Sequence, residues 1–267
     1  MSSPPATPPS DPGILQIRQL TFSHAEQPPI ACDWTASIPA GITLLHGDTG
    51  SGKSTLLRVL AGVLPASGEL TLAGTHLAQD RAGYLRKVFF CDPASDAFDQ
   101  VTARACTLAL SQGDAGFDDP RWHSLLDGFA LTPHIDKPLY MLSTGSKRKV
   151  GLAAALASGR ALTLLDEPAG ALDAASLRCL WRTLAVVATQ PGRAIVIASS
   201  EHLDQVALAS VIALPIASDD QGLVCVSRSV SSTEDSVNTN GATAGVVRLD
   251  GKGTPVTLAQ AVRHDTQ

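Results

Sequence analysis

Residues 41–64 read GITLLHGDTGSGKSTLLRVLAGVL. The apolar run GITLLHG is short and closed by glycine, as a buried strand is, whereas STLLRVLAGVL spaces its apolar residues for one helix face and stops before Pro65. Between them Gly47 to Thr55 match G-x-x-x-x-G-K-[ST] in the strand-then-helix setting that pattern requires. Gly47, Gly50 and Gly52 let the chain curl, so that successive N–H groups of Asp48, Thr49, Ser51 and their neighbours, on to Thr55, surround a β-phosphate. The positive end of the following helix adds to the attraction. Lys53 is placed to reach β- and γ-phosphates, and the Ser54 hydroxyl to ligate Mg2+.

Working outward, ALTLLDE (161–167) is a second buried strand that delivers two adjacent carboxylates at its C-terminal edge, where open α/β sheets bind ligands. Successive strand side chains face opposite ways, so the two can divide the work. Asp166 would hold the metal shell and Glu167 would polarise the water that attacks the γ-phosphate. ILQIRQLTF, ELTLAG, RKVFFC and RAIVIAS read as further strands. Helices are expected at 102–112, 120–130, 145–158, 174–189 and 202–209. Strands alternating with helices argue for an α/β fold around a largely parallel sheet.

LSTGSKRKVGLAAALASG (142–159) opens a strong helix with Lys147, Arg148 and Lys149 in its first turn, where cations oppose the macrodipole. An anion docked at that helix start would rationalise them; a solvated charged face is the alternative. The glycine loop, LSTGS, LLDEP and GALD (170–173), in that order, resemble the ATP-binding cassette (ABC) transporter ATPases over about residues 14–216. The resemblance implies an α/β P-loop NTPase cassette with a mostly parallel core sheet, a small antiparallel β part and a helical subdomain at about 92–141. It also implies ATP and Mg2+ as cofactors and a head-to-tail dimer with a second cassette, of the same or another chain. Ser143 and Gly145 would then serve the opposite subunit's nucleotide, and Leu172 and Asp173 would couple the two sites. Membrane-spanning transporter subunits would be the further partners, with the chain cytoplasmic and peripheral on the inner face of the cell membrane.

Several positions depart from the family pattern. An aromatic that stacks on adenine is replaced by His24, which can stack on a base or lie idle at a strand end. LSTGS stands for the usual LSGGQ and keeps Gly145. The glutamine that contacts Mg2+ and the attacking water falls on Asp92. The histidine that grips the γ-phosphate aligns with Glu201, with His202 one place later. A carboxylate facing a γ-phosphate repels it, so unless His202 serves, hydrolysis is expected to be slow despite Glu167. A weakly hydrolysing regulatory cassette in a heterodimer and a non-transport ABC ATPase therefore stand as alternatives.

Composition agrees and excludes. The 267 residues carry 20 Lys+Arg against 25 Asp+Glu, a net charge of −5, with 4% aromatics, which disfavours nucleic acid as a direct partner. Five scattered cysteines without CxxC spacing indicate neither a zinc site nor a disulfide framework and fit a reducing compartment. No apolar run reaches 18 residues, and MSSPPATPPSDPG lacks the basic and apolar parts of a secretory signal. Residues 1–13, with five prolines, read as a disordered tail. Residues 217–267 read as a partly flexible extension that could end in a strand and a short helix.

Overall fold

The computed structural model describes residues 13–23, 29–93 and 95–214, together with the backbone of 248–249 and 255–256. Its centre is a five-stranded sheet in the order β6 (Val88–Phe90), β7 (Leu162–Asp166), β8 (Ala194–Ser199), β3 (Gly41–His46), β9 (Ser210–Ala213). Every pairing in it is parallel. Parallel strands buried on both faces read as continuous apolar runs, which is why TLL, LTLL and AIVIA carry so little polarity. Alternate residues feed two cores. Leu45, Leu164, Val196 and Ala198 join α1 (Lys53–Leu60) and a four-stranded antiparallel sheet, while Leu44, Leu165, Ile195 and Ile197 join the helical side.

The antiparallel sheet runs β2 (Pro29–Ile38), β1 (Leu15–Ser23), β4 (Ser67–Leu72), β5 (Thr75–His76), followed by the short helix α2 (Arg81–Arg86). Tyr84 of α2 is fully buried and donates its hydroxyl to the Leu60 carbonyl at 2.8 Å, closing the end of α1; burial holds its phenol above the usual tyrosine range. On the opposite side lie α3 (Ala103–Ser111), α4 (Asp119–Gly128), α5 (Thr144–Ala157) and α6 (Ala174–Val187). Arg193, 3% exposed, ties α5 to the sheet through the Ala155 carbonyl at 2.8 Å and the Thr163 hydroxyl at 3.1 Å.

Two differences from the sequence reading have physical causes. β2 escaped it because bulges shift its register against β1 three times, at Gln19, Asp33 and neighbours, so its burial does not alternate. Residues 202–209 form no helix. Leu203 and Val206 are buried three apart, which mimics helical spacing, but the segment must return from β8 to start β9, and Ala209 N–H is already given to the Ile42 carbonyl at 2.7 Å. The tail expected at 1–13 lies outside the described residues but for Gly13, and so does the extension expected at 217–267 but for 248–249 and 255–256, which pair as antiparallel β10 and β11. No helix among the described residues is long and apolar enough to cross a membrane.

Candidate functional site

β3 ends at His46, β7 at Asp166 and β8 at Ser199, and the register sets them side by side, with His46 opposite Ser199 and Asp166 opposite Ala198. The loops leaving these strands therefore open on one sheet edge. Gly50 and Gly52 take φ of 85° and 95°, a left-handed curl that L side chains resist, and a Cβ on Gly52 would stand 2.6 Å from Ile30 Cγ2. The start of α1 has no side-chain cap. Its first-turn N–H groups face the loop with the positive end of the helix behind them. Lys53, 6% exposed, folds its Nζ back to the carbonyls of Gly47 at 2.7 Å and Asp48 at 3.0 Å. Ser51 Oγ is buried in the same loop without a partner among the described residues. A buried ammonium, an orphaned hydroxyl and an uncapped helix start form a donor set suited to a polyphosphate. Ser54 and Thr55 stand in the first turn of α1; Asp48 and Thr49 are exposed on the rim.

Glu167 is held from several sides. Its Oε1 lies 3.5 Å from Lys53 Nζ and accepts the Ser200 N–H at 3.0 Å, while its own N–H donates to the Ala198 carbonyl at 2.9 Å. Its φ is 44°, left-handed for a non-glycine residue, at the sharp turn into Pro168. Lys53 and Glu167, 114 positions apart in sequence, are thus neighbours at the strand edge.

The pattern of the ABC transporter family matches residues 34–170, more than half of the chain. The chain is an ABC transporter family member. Over 167 residues the cassette is 38% identical to the cytochrome c biogenesis ATP-binding export protein CcmA of Rhodospirillum rubrum, covering 62% of this chain and 70% of that one. It is 34% identical over 211 residues to ATP-binding cassette sub-family A member 7 of Mus musculus, which covers 76% of this chain but 10% of the far longer mouse protein. Among solved structures, an ATP binding subunit of an ABC transporter superposes with a TM-score of 0.65 at 21% identity, over 75% of this chain and 85% of that one. This likeness agrees with the α/β cassette architecture described above.

Other expected site residues are distributed as follows in the cassette. Asp92 turns both oxygens to Arg58 of α1, at 2.8 Å from Nε and 3.3 Å from Nη2, and this hydrogen-bonded pair holds the guanidinium above its ordinary range, with Asp166 adding to the field. A metal contact by Asp92 would have to share that carboxylate with Arg58. His202 stacks on His46 with ring centroids 4.4 Å apart, and His46 Nδ1 is buried without a partner among the described residues; Glu201 is exposed and uses its N–H on Ser199 Oγ at 3.0 Å. His24 lies outside the described residues.

At the start of α5 the three cations have partners inside the chain. Lys147 pairs with Asp99 at 2.6 Å, Lys149 with Asp173 at 2.6 Å, and Arg148 donates to the carbonyls of Glu167 and Gly170 at 2.6 and 3.0 Å. The three cations are engaged within the chain, so no docked anion is needed to explain them. Ser143 caps the helix by accepting the Ser146 N–H at 3.2 Å, and Gly145 lets the turn at Ala171 approach, since a Cβ would meet that carbonyl at 2.5 Å. Sequence reasoning missed Arg58, His46 and the individual role of Arg148. Only His46 left a signal, as the polar ring that ends the strand ITLLH just before the glycine loop.

Proposed function

We propose that this cassette binds ATP with Mg2+ and hydrolyses it as the nucleotide-binding subunit of a transporter, closing on a second cassette around two nucleotides to drive separate membrane-spanning subunits. The observation that carries this reading is the meeting of Lys53 with Glu167 over an uncapped helix start. Lys53 and the loop amides of residues 47–55 would hold the β- and γ-phosphates. Mg2+, held by the Ser54 hydroxyl and the Asp166 carboxylate, would supply positive charge to the phosphate oxygens. Glu167 would accept a proton from the attacking water as its oxygen adds to the γ-phosphorus and the bond to the bridging oxygen breaks. His202, steadied by its stack on His46, would contact the γ-phosphate in place of Glu201. Ser143 and Gly145 would face the nucleotide of the opposite cassette, and His24 the adenine. The chain would sit in the cytoplasm against the inner face of the membrane, with no direct nucleic-acid partner.

A second reading, a weakly hydrolysing regulatory cassette beside a more active one, is favoured by the Asp92–Arg58 pair at the place of the usual glutamine. The test is to purify Glu167→Gln from detergent-solubilised native cells with Mg·ATP and identify by mass what accompanies it, alongside turnover of the wild-type chain. A multi-span membrane protein is the expected companion; ribosomal or DNA-bound material alone would instead support a non-transport ABC ATPase. An ordinary cassette turnover unaffected by His202→Ala rejects the weak reading.

A further inference from the structure

The carbonyl of Glu167 accepts two donors. One is Gly170 N–H at 3.0 Å, which closes the turn after β7. The other is Arg148 Nη1 at 2.6 Å, which also reaches the Gly170 carbonyl at 3.0 Å and so bridges both ends of that turn. Gly170 makes room for it, because a Cβ there would collide with the Arg148 guanidinium, although the residue's φ is not left-handed. The turn needs such a brace. Glu167 at φ 44° and Ala171 at φ 59° both occupy the left-handed region that L side chains resist, and neither is a glycine that would hold it freely. On the other side of the turn, Gly145 lets α5 contact the Ala171 carbonyl. The helix that begins at Ser143 therefore grips the Glu167 turn at two points.

We infer that Arg148 is a positioning residue for Glu167: its guanidinium fixes the carboxylate-bearing turn to α5, so that the placement of the α5 N-terminus sets the aim of Glu167 in its own chain. This rests on the proposed ATPase reading. A displacement of α5 is transmitted to Glu167 through two hydrogen bonds to main-chain oxygens, which are insensitive to the identity of the turn's side chains. Arg148 bonds only main-chain oxygens of the turn among its described partners, so in this role it acts through the backbone of Glu167.

Steady-state ATP turnover of the full chain tests this with Arg148→Met, Arg148→Lys, Gly170→Ala and the Arg148→Met/Gly170→Ala double variant. Misplacing a catalytic group by an ångström costs about a hundredfold, so Arg148→Met is expected to lower kcat by ten- to about a hundredfold while KM for ATP moves by less than about threefold. Arg148→Lys, which returns one cationic donor, should recover part of kcat. Gly170→Ala should mimic Arg148→Met from the opposite partner, and the double variant should be no worse than either alone. Wild-type kcat in Arg148→Met overturns the inference. So does a parallel loss of kcat, ATP affinity and thermal midpoint that Arg148→Lys fails to relieve, since that is general destabilisation. Absence of turnover in the wild-type chain is a separate result: it defeats the ATPase reading, and the Arg148 role falls with it.

Discussion

Two helix starts in this chain carry basic residues, and they are built to opposite ends. α1 begins at Lys53 behind a left-handed Gly52, with no side chain capping its first turn, and Lys53 Nζ folds into the loop with backbone carbonyls and the Glu167 carboxylate around it. α5 begins behind Ser143, whose hydroxyl caps it, and its three cations are matched by Asp99, Asp173 and the Glu167 and Gly170 carbonyls. The dipole is the same at both. What differs is whether a side chain already caps the first turn, as Ser143 does at α5 and none does at α1. With no side-chain cap on its first turn, the start of α1 is the better placed of the two to receive an anion at its own chain's loop.

The contrast can be broken most sharply at Lys53. Lys53→Ala removes a charge-assisted donor from a buried site, and ATP affinity measured by equilibrium titration should fall by about tenfold to a hundredfold. The paired change at the other helix, Lys147→Met with Lys149→Met, should leave that affinity within about twofold; a drop comparable to Lys53→Ala would mean that α5 binds anions after all. Gly52→Ala tests the curl rather than the charge. The left-handed φ of 95° and the 2.6 Å approach to Ile30 should together cost about 1–3 kcal/mol in chemical denaturation and weaken nucleotide binding, whereas Gly151→Ala, within α5 and with an ordinary φ, should be tolerated.

The smallest effect is expected at Lys149. Its hydrogen bond, with those of Ser176, holds the exposed Asp173 carboxyl well below the usual carboxylate range. A depressed carboxyl stabilises the fold above its unfolded pKa and loses that contribution as pH falls through the folded one. Lys149→Met should therefore lower the thermal midpoint slightly at pH 6, and the gap to wild type should shrink as pH falls below about 4, the ordinary aspartate range; a gap that is constant with pH would mean that packing, not charge, is lost.

Whatever depends on neighbours a few residues apart is legible along the chain. The strand, curled loop and helix from Gly41 to Leu60 follow from a short apolar run, glycines and 3.6-residue spacing, and the carboxylates of Asp166 and Glu167 follow from a buried strand ending at a sheet edge. Local pattern misled where tertiary demands overrode it: Leu203 and Val206 are spaced for a helix yet anchor an irregular return to β9, and bulges hid β2. Only the folded chain decided who holds whom. Arg58 meets Asp92 across 34 positions, Lys147 meets Asp99 across 48, Arg148 reaches the Glu167 carbonyl across 19, and His46 finds His202. Such partnerships are chosen by strand order and helix packing, because a side chain bonds whatever the sheet brings within about 3 Å, and no periodicity along the chain records that distance.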